Sequence, residues 1–305
     1  MQSDREEAQY VFNLLQQFAT NSLFLDLRRA EDFEMLHVDK AFNLPLECDP
    51  SQVSIRAVED FIKNTPVAAV FARRKRMCVF VTGDESCVGR ATALFDVLQQ
   101  ERCKEVHLFR PPVTWFLELF AFLADGSLAV PRLPQSRVGY PNEIIADRLF
   151  LGNHLHAESL EVVNNLRITH IVNATKSINN RFQDRLQYCR VIVEDEETEM
   201  ICYHFNKAFR FMDMALAEDP DARILVHCAQ GISRSATLVI MYLMRTNGLT
   251  YEQALELVQK HRDVVQPNAG FVAQLKEFET SRFSFKRSHT IISNRNDTTR
   301  RSLPL

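Results

Sequence analysis

The sequence predicts two consecutive α/β domains, and three observations carry this prediction. The chain has 305 residues, which is more than a single hydrophobic core usually organises. Its composition is 46% hydrophobic and 25% charged, so there is enough apolar surface to build packed cores. In both halves, short apolar runs alternate with amphipathic stretches, which is the order of strands and helices in an α/β fold.

The first domain is predicted over residues 1–124. Strands are expected at four short apolar runs, Leu23–Leu27, Ala41–Leu46, Cys78–Val81 and Val106–Leu108. Helices are expected between them, at Glu6–Phe18, Val58–Lys63, Gly89–Gln100 and Trp115–Leu123. Residues 125–141 contain three prolines, which interrupt regular structure, so this segment is predicted to be a linker.

The second domain is predicted over residues 142–281, with a central, largely parallel sheet flanked by helices. Its strands are expected at Glu143–Ile145, Leu149–Leu151, His170–Val172, Cys189–Val193 and Arg223–His227. Three helices follow, at Ile232–Thr246, Tyr251–His261 and Ala269–Thr280. Gly248 suits a helix end, and Thr250 with Gln253 forms a capping box for the next helix. Residues 282–305 are basic and aperiodic, and are predicted to be disordered.

Charge and cysteine usage exclude several classes of function. The formal net charge is −3, which gives no overall field for holding nucleic acid or an anionic membrane. No apolar run has the length of a membrane helix, so we expect the cytoplasm or nucleus. Seven cysteines are present without CxxC or Cys/His spacing, which predicts reduced thiols and no metal site.

The segment around Cys228 carries the clearest chemistry. An apolar strand there runs into a helix through residues 227–234, and such a turn points backbone amides and the helix dipole at one anion. Gly231 permits the tight turn. A thiol at this position is expected to ionise readily and to act as a nucleophile. Arg234 can hold two phosphate oxygens with its planar guanidinium.

The same loop predicts the remaining binding residues. We expect Ser235 or Ser233 to donate a hydrogen bond to the sulfur, and His227 to orient the loop. The phosphate would contact the backbone along Ala229, Gln230, Gly231, Ile232 and Ser233. A leaving oxygen also needs a proton, and the predicted strand 189–193 leads into four consecutive carboxylates, residues 194–197. The residue types alone do not choose among them.

These residues resemble a known family. Residues 228–234 resemble the Cys-x5-Arg loop of cysteine-dependent protein phosphatases, and the flanking His227 and Ser235 resemble its dual-specificity branch. Residues 142–153, 191–195 and 266–275 resemble three further motifs of that branch, so the resemblance spans about residues 140–281. It implies a phosphocysteine intermediate and no metal or organic cofactor.

The resemblance also assigns residues outside the loop. It implies that Asp195 is the general acid, with Glu194 and Glu196 as the reserve candidates. It implies that Asn268 supports the phosphate loop, although Asn268 is an equally good helix cap. Asn173, at a predicted strand end, is interpreted as structural.

The first domain resembles the rhodanese fold, which also precedes the catalytic domain of mitogen-activated protein kinase phosphatases. The resemblance rests on residues 23–28 and 33–45. An active rhodanese would have a cysteine where this chain has Thr82, and Cys87 comes several residues late. We therefore predict a binding module rather than a sulfurtransferase. Its candidate docking residues are Arg73, Arg74, Lys75 and Arg76, for which a solvated charge run is the alternative.

Together these observations predict a phosphatase of phosphotyrosine and phosphoserine/threonine proteins, with a mitogen-activated protein kinase as a candidate partner. Two alternatives stay open. One is a phosphoprotein-binding scaffold that does not turn its ligand over, and the other is a phosphatase of non-protein phosphate esters. Neither nucleic-acid nor membrane binding is expected.

Overall fold

A computed structural model of the chain describes residues 2–18, 21–129, 138–281 and 283. The N-terminal part contains α1 (Gln2–Gln17), β1 (Ser22–Asp26), α2 (Ala30–Met35), β2 (His37–Val38), β3 (Phe42–Asn43), α3 (Ile55–Ile62), α4 (Val67–Phe71), β4 (Cys78–Thr82), α5 (Val88–Gln100), β5 (Glu105–Phe109), α6 (Val113–Leu119) and β6 (Ala124–Asp125). The C-terminal part contains β7 (Asn142–Ile145), β8 (Leu149–Gly152), α7 (His154–Glu158), α8 (Leu160–Asn165), β9 (His170–Asn173), β10 (Gln187–Arg190), α9 (Phe205–Glu218), β11 (Ile224–His227), α10 (Arg234–Asn247), α11 (Tyr251–His261) and α12 (Ala269–Thr280).

The N-terminal part is built on a parallel sheet in the strand order β3-β1-β4-β5. Because side chains alternate along a strand, Leu23 and Leu25 of β1 face the core formed with α3 and α5, whereas Phe24 faces α1 and α6. Both faces of the sheet are therefore covered, which is the α/β organisation predicted from the sequence. The rhodanese resemblance itself stays a prediction.

The C-terminal part is built on a five-stranded sheet in the order β10-β9-β11-β8-β7. Only β7 runs antiparallel to its neighbour, so the sheet is largely parallel, as predicted. Helices α9 to α12 cover one face, and α7 and α8 cover the other. The last residues of three neighbouring strands, Gly152, Asn173 and His227, lie in register. Ligand sites in such sheets form at this carboxyl edge.

The structure departs from the predicted elements in several places. Strand β10 covers Gln187–Arg190 and not Cys189–Val193, β3 is shorter than predicted, and the short helices α2, α4, α7 and α8 were not predicted. Helix α10 begins at Arg234 and not at Ile232, because Ile232 and Ser233 belong to the loop that precedes it. Helix α9 was not predicted, although its buried residues Phe205, Ala208 and Met212 follow helical spacing.

Other predictions agree with the structure or lie partly outside it. Gly248 adopts φ 67° at the end of α10, and Thr250 forms the predicted capping box with Gln253. All seven cysteines are free thiols. The predicted linker includes residues 130–137, which lie outside the described residues, as does the predicted tail apart from Phe283. Within the described ranges, no helix combines the length and apolarity needed to cross a bilayer.

Candidate active site

The loop between β11 and α10 forms a tight turn at the carboxyl edge of the sheet. Its turn depends on Gly231, which adopts φ 74°, a backbone conformation that side chains with a Cβ rarely tolerate. A Cβ at this position would also collide with the carbonyl oxygen of Gly152 at the end of β8. The sequence therefore needs glycine here for two independent reasons.

Cys228 lies at the base of this loop and is 1% exposed. Its Sγ accepts a hydrogen bond from the Gly231 amide at 3.2 Å and another from the Ser235 hydroxyl at 3.2 Å. Burial by itself raises the pKa of the Cys228 thiol. Hydrogen bonds from the Ser235 hydroxyl and from the amides of Ser235, Gly231 and Ile232 outweigh burial, so the pKa lies below its ordinary value. The sulfur is thus prepared to be a thiolate.

Arg234 opens helix α10 directly above the loop. Its guanidinium donates a hydrogen bond to the Val193 carbonyl at 3.3 Å. Its Nε is buried and makes no hydrogen bond within the described part of the chain. Buried donors are normally paired. The Nε–H of Arg234 is therefore suited to donate a hydrogen bond to an anionic ligand. Arg234 therefore contributes both positive charge and a free donor to the cradle.

The carboxylate of Asp195 reaches the same loop from the segment after β10. Its Oδ1 accepts hydrogen bonds from the Ser233 hydroxyl at 2.6 Å and from the Asn268 amide at 3.0 Å. Its Oδ2 lies 3.7 Å from Arg234 Nε. Glu194 lies at the margin, 3.9 Å from Arg234 and 3.8 Å from Lys176. Of the predicted carboxylates, Asp195 is the one hydrogen-bonded to the loop.

The two serines that the sequence left as alternatives have different partners. Ser235 donates to Cys228 Sγ, and Ser233 donates to Asp195. Asn268 has both of its expected contacts. Its side-chain oxygen caps α12 by accepting from the Phe271 backbone amide at 2.9 Å, and its backbone amide donates to the Ser233 hydroxyl at 3.2 Å. Asp195 and Asn268 therefore meet the loop serines in one place, whereas Glu196 is exposed.

Histidines support the loop from below. His227 is 2% exposed, and burial lowers its pKa to about 4, so the ring is neutral. His154 holds the Ala229 carbonyl through its ring Nδ1 at 2.8 Å. The Asn173 side chain donates to the Ile178 carbonyl at 2.9 Å, in the loop that follows β9, which is in keeping with a structural role. Gln230 is exposed at the mouth of the loop.

Sequence reasoning missed Arg262, and it identified Asn142 only as the first residue of the 142–153 motif, without its contact to Arg262. Arg262, just after α11, donates to the Gly231 carbonyl at 2.9 Å and to the Gln230 carbonyl at 3.1 Å. Its third bond reaches the Asn142 side chain at 2.7 Å. No local pattern marks Arg262, because it acts on a segment distant in sequence.

One predicted docking residue, Arg74, does not lie at the surface. Arg74 is buried, stacks its guanidinium over the Phe71 ring at 4.4 Å and pairs with Glu59 at 3.2 Å and Glu101 at 3.4 Å. Arg74 therefore belongs to the packed interior of the N-terminal part, where the carboxylates of Glu59 and Glu101 neutralise its charge. Arg73, Lys75 and Arg76 are exposed, and Lys75 contacts Glu101 at 3.0 Å.

Cys87 is the cysteine nearest to the position where an active rhodanese would have its nucleophile, in the loop after β4. Its thiol is 2% exposed, and burial raises its pKa to about 11. The thiol donates to the Asp84 carboxylate at 3.3 Å. A buried, protonated thiol is a poor acceptor of sulfur.

A single group of potential metal ligands occurs in the described residues, formed by Cys78, Glu105 and His107, whose ligand atoms lie within 4.8 Å of one another. Glu105 and His107 already contact each other at 3.2 Å. Burial and Glu105 raise the pKa of Cys78, which opposes the thiolate that a metal requires. The arrangement is that of a carboxylate beside an imidazole and a buried thiol.

Comparisons with known proteins agree with this geometry. Residues 149–281 match the family model described as "Dual specificity phosphatase, catalytic domain". The chain is 36% identical over 174 residues to dual specificity protein phosphatase 1-A of Xenopus laevis, covering 56% of this chain and 46% of that protein. It is 36% identical over 140 residues to a probable rhodanese domain-containing dual specificity protein phosphatase of Dictyostelium discoideum, covering 46% of this chain and 29% of that protein.

Among solved structures, the chain is similar to the human tyrosine phosphatase-like serine/threonine/tyrosine-interacting protein. The identity is 36%, the TM-score is 0.45, and the match covers 48% of this chain and 99% of that one. The chain spans less than half the length of the two curated relatives named above.

Proposed function

We propose that the chain hydrolyses phosphotyrosine and phosphoserine/threonine in proteins, on the basis that residues 149–281 match the catalytic domain of dual specificity phosphatases. The observation that carries the proposal is the environment of Cys228. Its sulfur receives hydrogen bonds from Gly231 and Ser235 beneath an arginine whose Nε has no hydrogen-bond partner in the described residues.

In the first step, the Cys228 thiolate attacks phosphorus and the bond from phosphorus to the ester oxygen breaks. Arg234 and the loop amides bind the equatorial oxygens of the phosphoryl group, where charge is concentrated in the transition state. Asp195 acts as the general acid and gives a proton to the departing oxygen. The products are the free hydroxyl of the substrate and a phosphocysteine.

In the second step, water attacks the phosphocysteine and gives a proton to Asp195, which restores the acid. The bond from phosphorus to sulfur breaks, and the sulfur leaves as a thiolate. Ser235 stabilises that leaving group, because its hydroxyl lies 3.2 Å from Sγ. Inorganic phosphate then leaves the loop.

The test is turnover of an aryl phosphate by the full chain. Cys228→Ser should abolish turnover but keep binding of a phosphate analogue, because the nucleophile is lost and the anion cradle remains. Asp195→Asn should impair an alkyl phosphate far more than an aryl phosphate, whose leaving group needs little proton assistance. If wild-type protein binds phosphopeptide without any turnover, the chain is a phosphoprotein-binding scaffold and the proposal fails.

We further propose that the N-terminal domain recruits a phosphorylated partner, with a mitogen-activated protein kinase as the first candidate. The proposal is supported by the exposed side chains of Arg73 and Arg76 and by the buried state of Cys87, which argues against sulfur transfer. Arg73→Glu with Arg76→Glu should weaken binding to an acidic-grooved kinase and leave aryl-phosphate turnover unchanged.

The matched control for recruitment is the reversal of an exposed basic pair elsewhere, Arg56→Glu with Lys63→Glu. Binding through the proposed residues should also weaken as salt rises, because exposed charges are screened over about 10 Å at 0.1 M ionic strength. Equal loss in both double variants, or binding that salt does not alter, would contradict the proposal. The Cys228→Ser chain should show no sulfurtransferase activity with thiosulfate.

A further inference from the structure

Helix α1 of the N-terminal domain is hydrogen-bonded into the catalytic domain along strand β7. The Asn13 side chain donates to the Glu143 carbonyl at 2.8 Å and accepts from the Glu143 amide at 2.7 Å, and Gln9 donates to the same carbonyl at 2.9 Å. Asn13 and Gln9 are 1% and 6% exposed. Helix α1 therefore satisfies backbone groups of β7 as a neighbouring strand would.

From β7 the contacts continue to the nucleophile. The Asn142 side chain, which is fully buried, donates to the Asn13 carbonyl at 3.3 Å and accepts from Arg262 at 2.7 Å. Arg262 donates in turn to the Gly231 carbonyl at 2.9 Å, and the Gly231 amide donates to Cys228 Sγ at 3.2 Å. A continuous set of hydrogen bonds thus joins the first domain to the reacting sulfur.

The same helix fixes the end of α11, from which Arg262 extends. Asn13 lies 3.1 Å from the ring of His261, and Gln17 donates to the His261 carbonyl at 3.1 Å. His261 is the residue immediately before Arg262. The position of Arg262 is therefore held both through its own guanidinium and through its backbone neighbour.

Arg262 also acts on the sulfur by charge. Burial lowers the pKa of its guanidinium, and the Cys228 thiolate opposes this shift, so the two charges attract each other. The attraction is reciprocal and stabilises the thiolate.

We infer that Asn142 and Arg262 are positioning residues of the phosphate loop, and that docking of helix α1 keeps them in place. In this arrangement the N-terminal domain has a role beyond recruitment, because it sets the geometry and the ionisation of the loop. The expected effect on turnover rests on the proposed phosphatase function. The expected effect of Arg262 on the ionisation of Cys228 does not depend on that function.

The experiment compares Arg262→Gln with Arg148→Gln in the full chain. Arg148 is the matched control, since it also donates to three carbonyls, of Leu216, Asp219 and Pro220, but at the opposite end of the sheet. The rate of Cys228 alkylation by iodoacetamide is measured against pH. Arg262→Gln should move the midpoint upward, because it removes a positive charge that interacts with Cys228 and the support of the Gly231 carbonyl, and Arg148→Gln should not. Arg262→Lys, which keeps the charge, should give a smaller shift.

A second pair of variants tests the first domain. Asn13→Ala removes the two side-chain hydrogen bonds with Glu143 and the contact with His261. It should lower kcat/KM for an aryl phosphate about tenfold, with the loss mainly in kcat. Asn21→Ala, which removes only an amide contact with the Arg76 carbonyl, should leave both constants unchanged.

Coincident alkylation curves for wild type, Arg262→Gln and Arg148→Gln would overturn the inference, as would equal activity of Asn13→Ala and Asn21→Ala. Circular dichroism is recorded for every variant, and if Arg262→Gln is unfolded, the Arg262→Lys and Asn13→Ala arms decide. Absence of turnover in wild-type protein would refute the proposed function, and the alkylation curves would still decide this inference.

Discussion

Replacement of Ser235 by alanine tests the account of thiolate stabilisation most directly. The Ser235 hydroxyl lies 3.2 Å from Cys228 Sγ and is fully buried. It is also the leading stabilising contribution to the lowered pKa of the thiol, after the opposing effect of burial. Ser235→Ala removes this donor and leaves the backbone amides of Gly231 and Ile232 in place.

The expected magnitude follows from the charge of the acceptor. A hydrogen bond to a charged group is worth about 1.5–3 kcal/mol, and one pKa unit corresponds to about 1.4 kcal/mol. The pKa of Cys228 should therefore rise by about 1–2 units. Because the sulfur must also leave as a thiolate, the same energy should slow breakdown of the phosphocysteine by about 10–100-fold.

Two assays measure these effects separately. The pH dependence of Cys228 alkylation reports the pKa of the thiol. Rapid-mixing kinetics with an aryl phosphate should show a burst of phenol followed by a slow steady state, because the first step then outruns the second. Thr237→Val is the control, since it removes a buried hydroxyl on the same helix that bonds the Ser233 carbonyl and not the sulfur.

The reasoning would be refuted if Ser235→Ala and Thr237→Val had the same alkylation midpoint as wild type. In that case the backbone amides alone would account for the ionisation of Cys228. A raised midpoint without a burst would keep the electrostatic argument and contradict the role of Ser235 in the second step.

Three further predictions follow from the structure. Gly231→Ala should lose aryl-phosphate turnover and about 1–3 kcal/mol of stability in urea unfolding, because the residue would need a left-handed backbone; wild-type turnover would contradict the assigned loop geometry. Acid should destabilise the protein, because the pKa of buried His227 is lowered to about 4. Between about pH 6.5 and 4 the unfolded chain therefore binds more protons than the folded chain. Up to about 3 kcal/mol of unfolding free energy is lost as pH falls through that window. His227→Asn should flatten this dependence, and an unaltered pH profile would show that His227 is not responsible. Arg74→Met should lower the thermal midpoint by several degrees, whereas the exposed Arg73→Met should change stability by no more than about 0.5 kcal/mol; equal midpoints would mean that the buried pairs of Arg74 contribute nothing.

The sequence by itself determined the fold class and the centre of the site. Alternating apolar runs and amphipathic stretches are local signals, so both sheets and most helices could be predicted from them. The loop from Cys228 to Arg234 is contiguous in the chain, and a strand-turn-helix creates its anion cradle without help from distant residues. The same is true of Gly248 and of the Thr250 cap, which depend only on their immediate neighbours.

Local signals were less informative where several similar residues compete. Four carboxylates follow one another after residue 193, and the family resemblance, not their chemistry, chose Asp195. The contacts with Ser233 and Asn268 distinguish Asp195 in space, and its catalytic role stays a prediction. Burial of Arg74 was likewise invisible, because charge runs are usually solvated and only the packing of Phe71 and Glu101 around it determines otherwise.

Only the tertiary structure decided how the N-terminal and C-terminal parts of the chain meet beside Cys228. Asn13, Asn142, Gly231 and Arg262 are far apart in the chain, and no periodicity or spacing relates them. They come together because α1 packs on β7 and because α11 ends beside the phosphate loop. Their hydrogen bonds form after the elements have packed, so the sequence specifies each residue but not the contact. The ionisation of Cys228 therefore has a local cause that the sequence reveals and a distant one that only the fold creates.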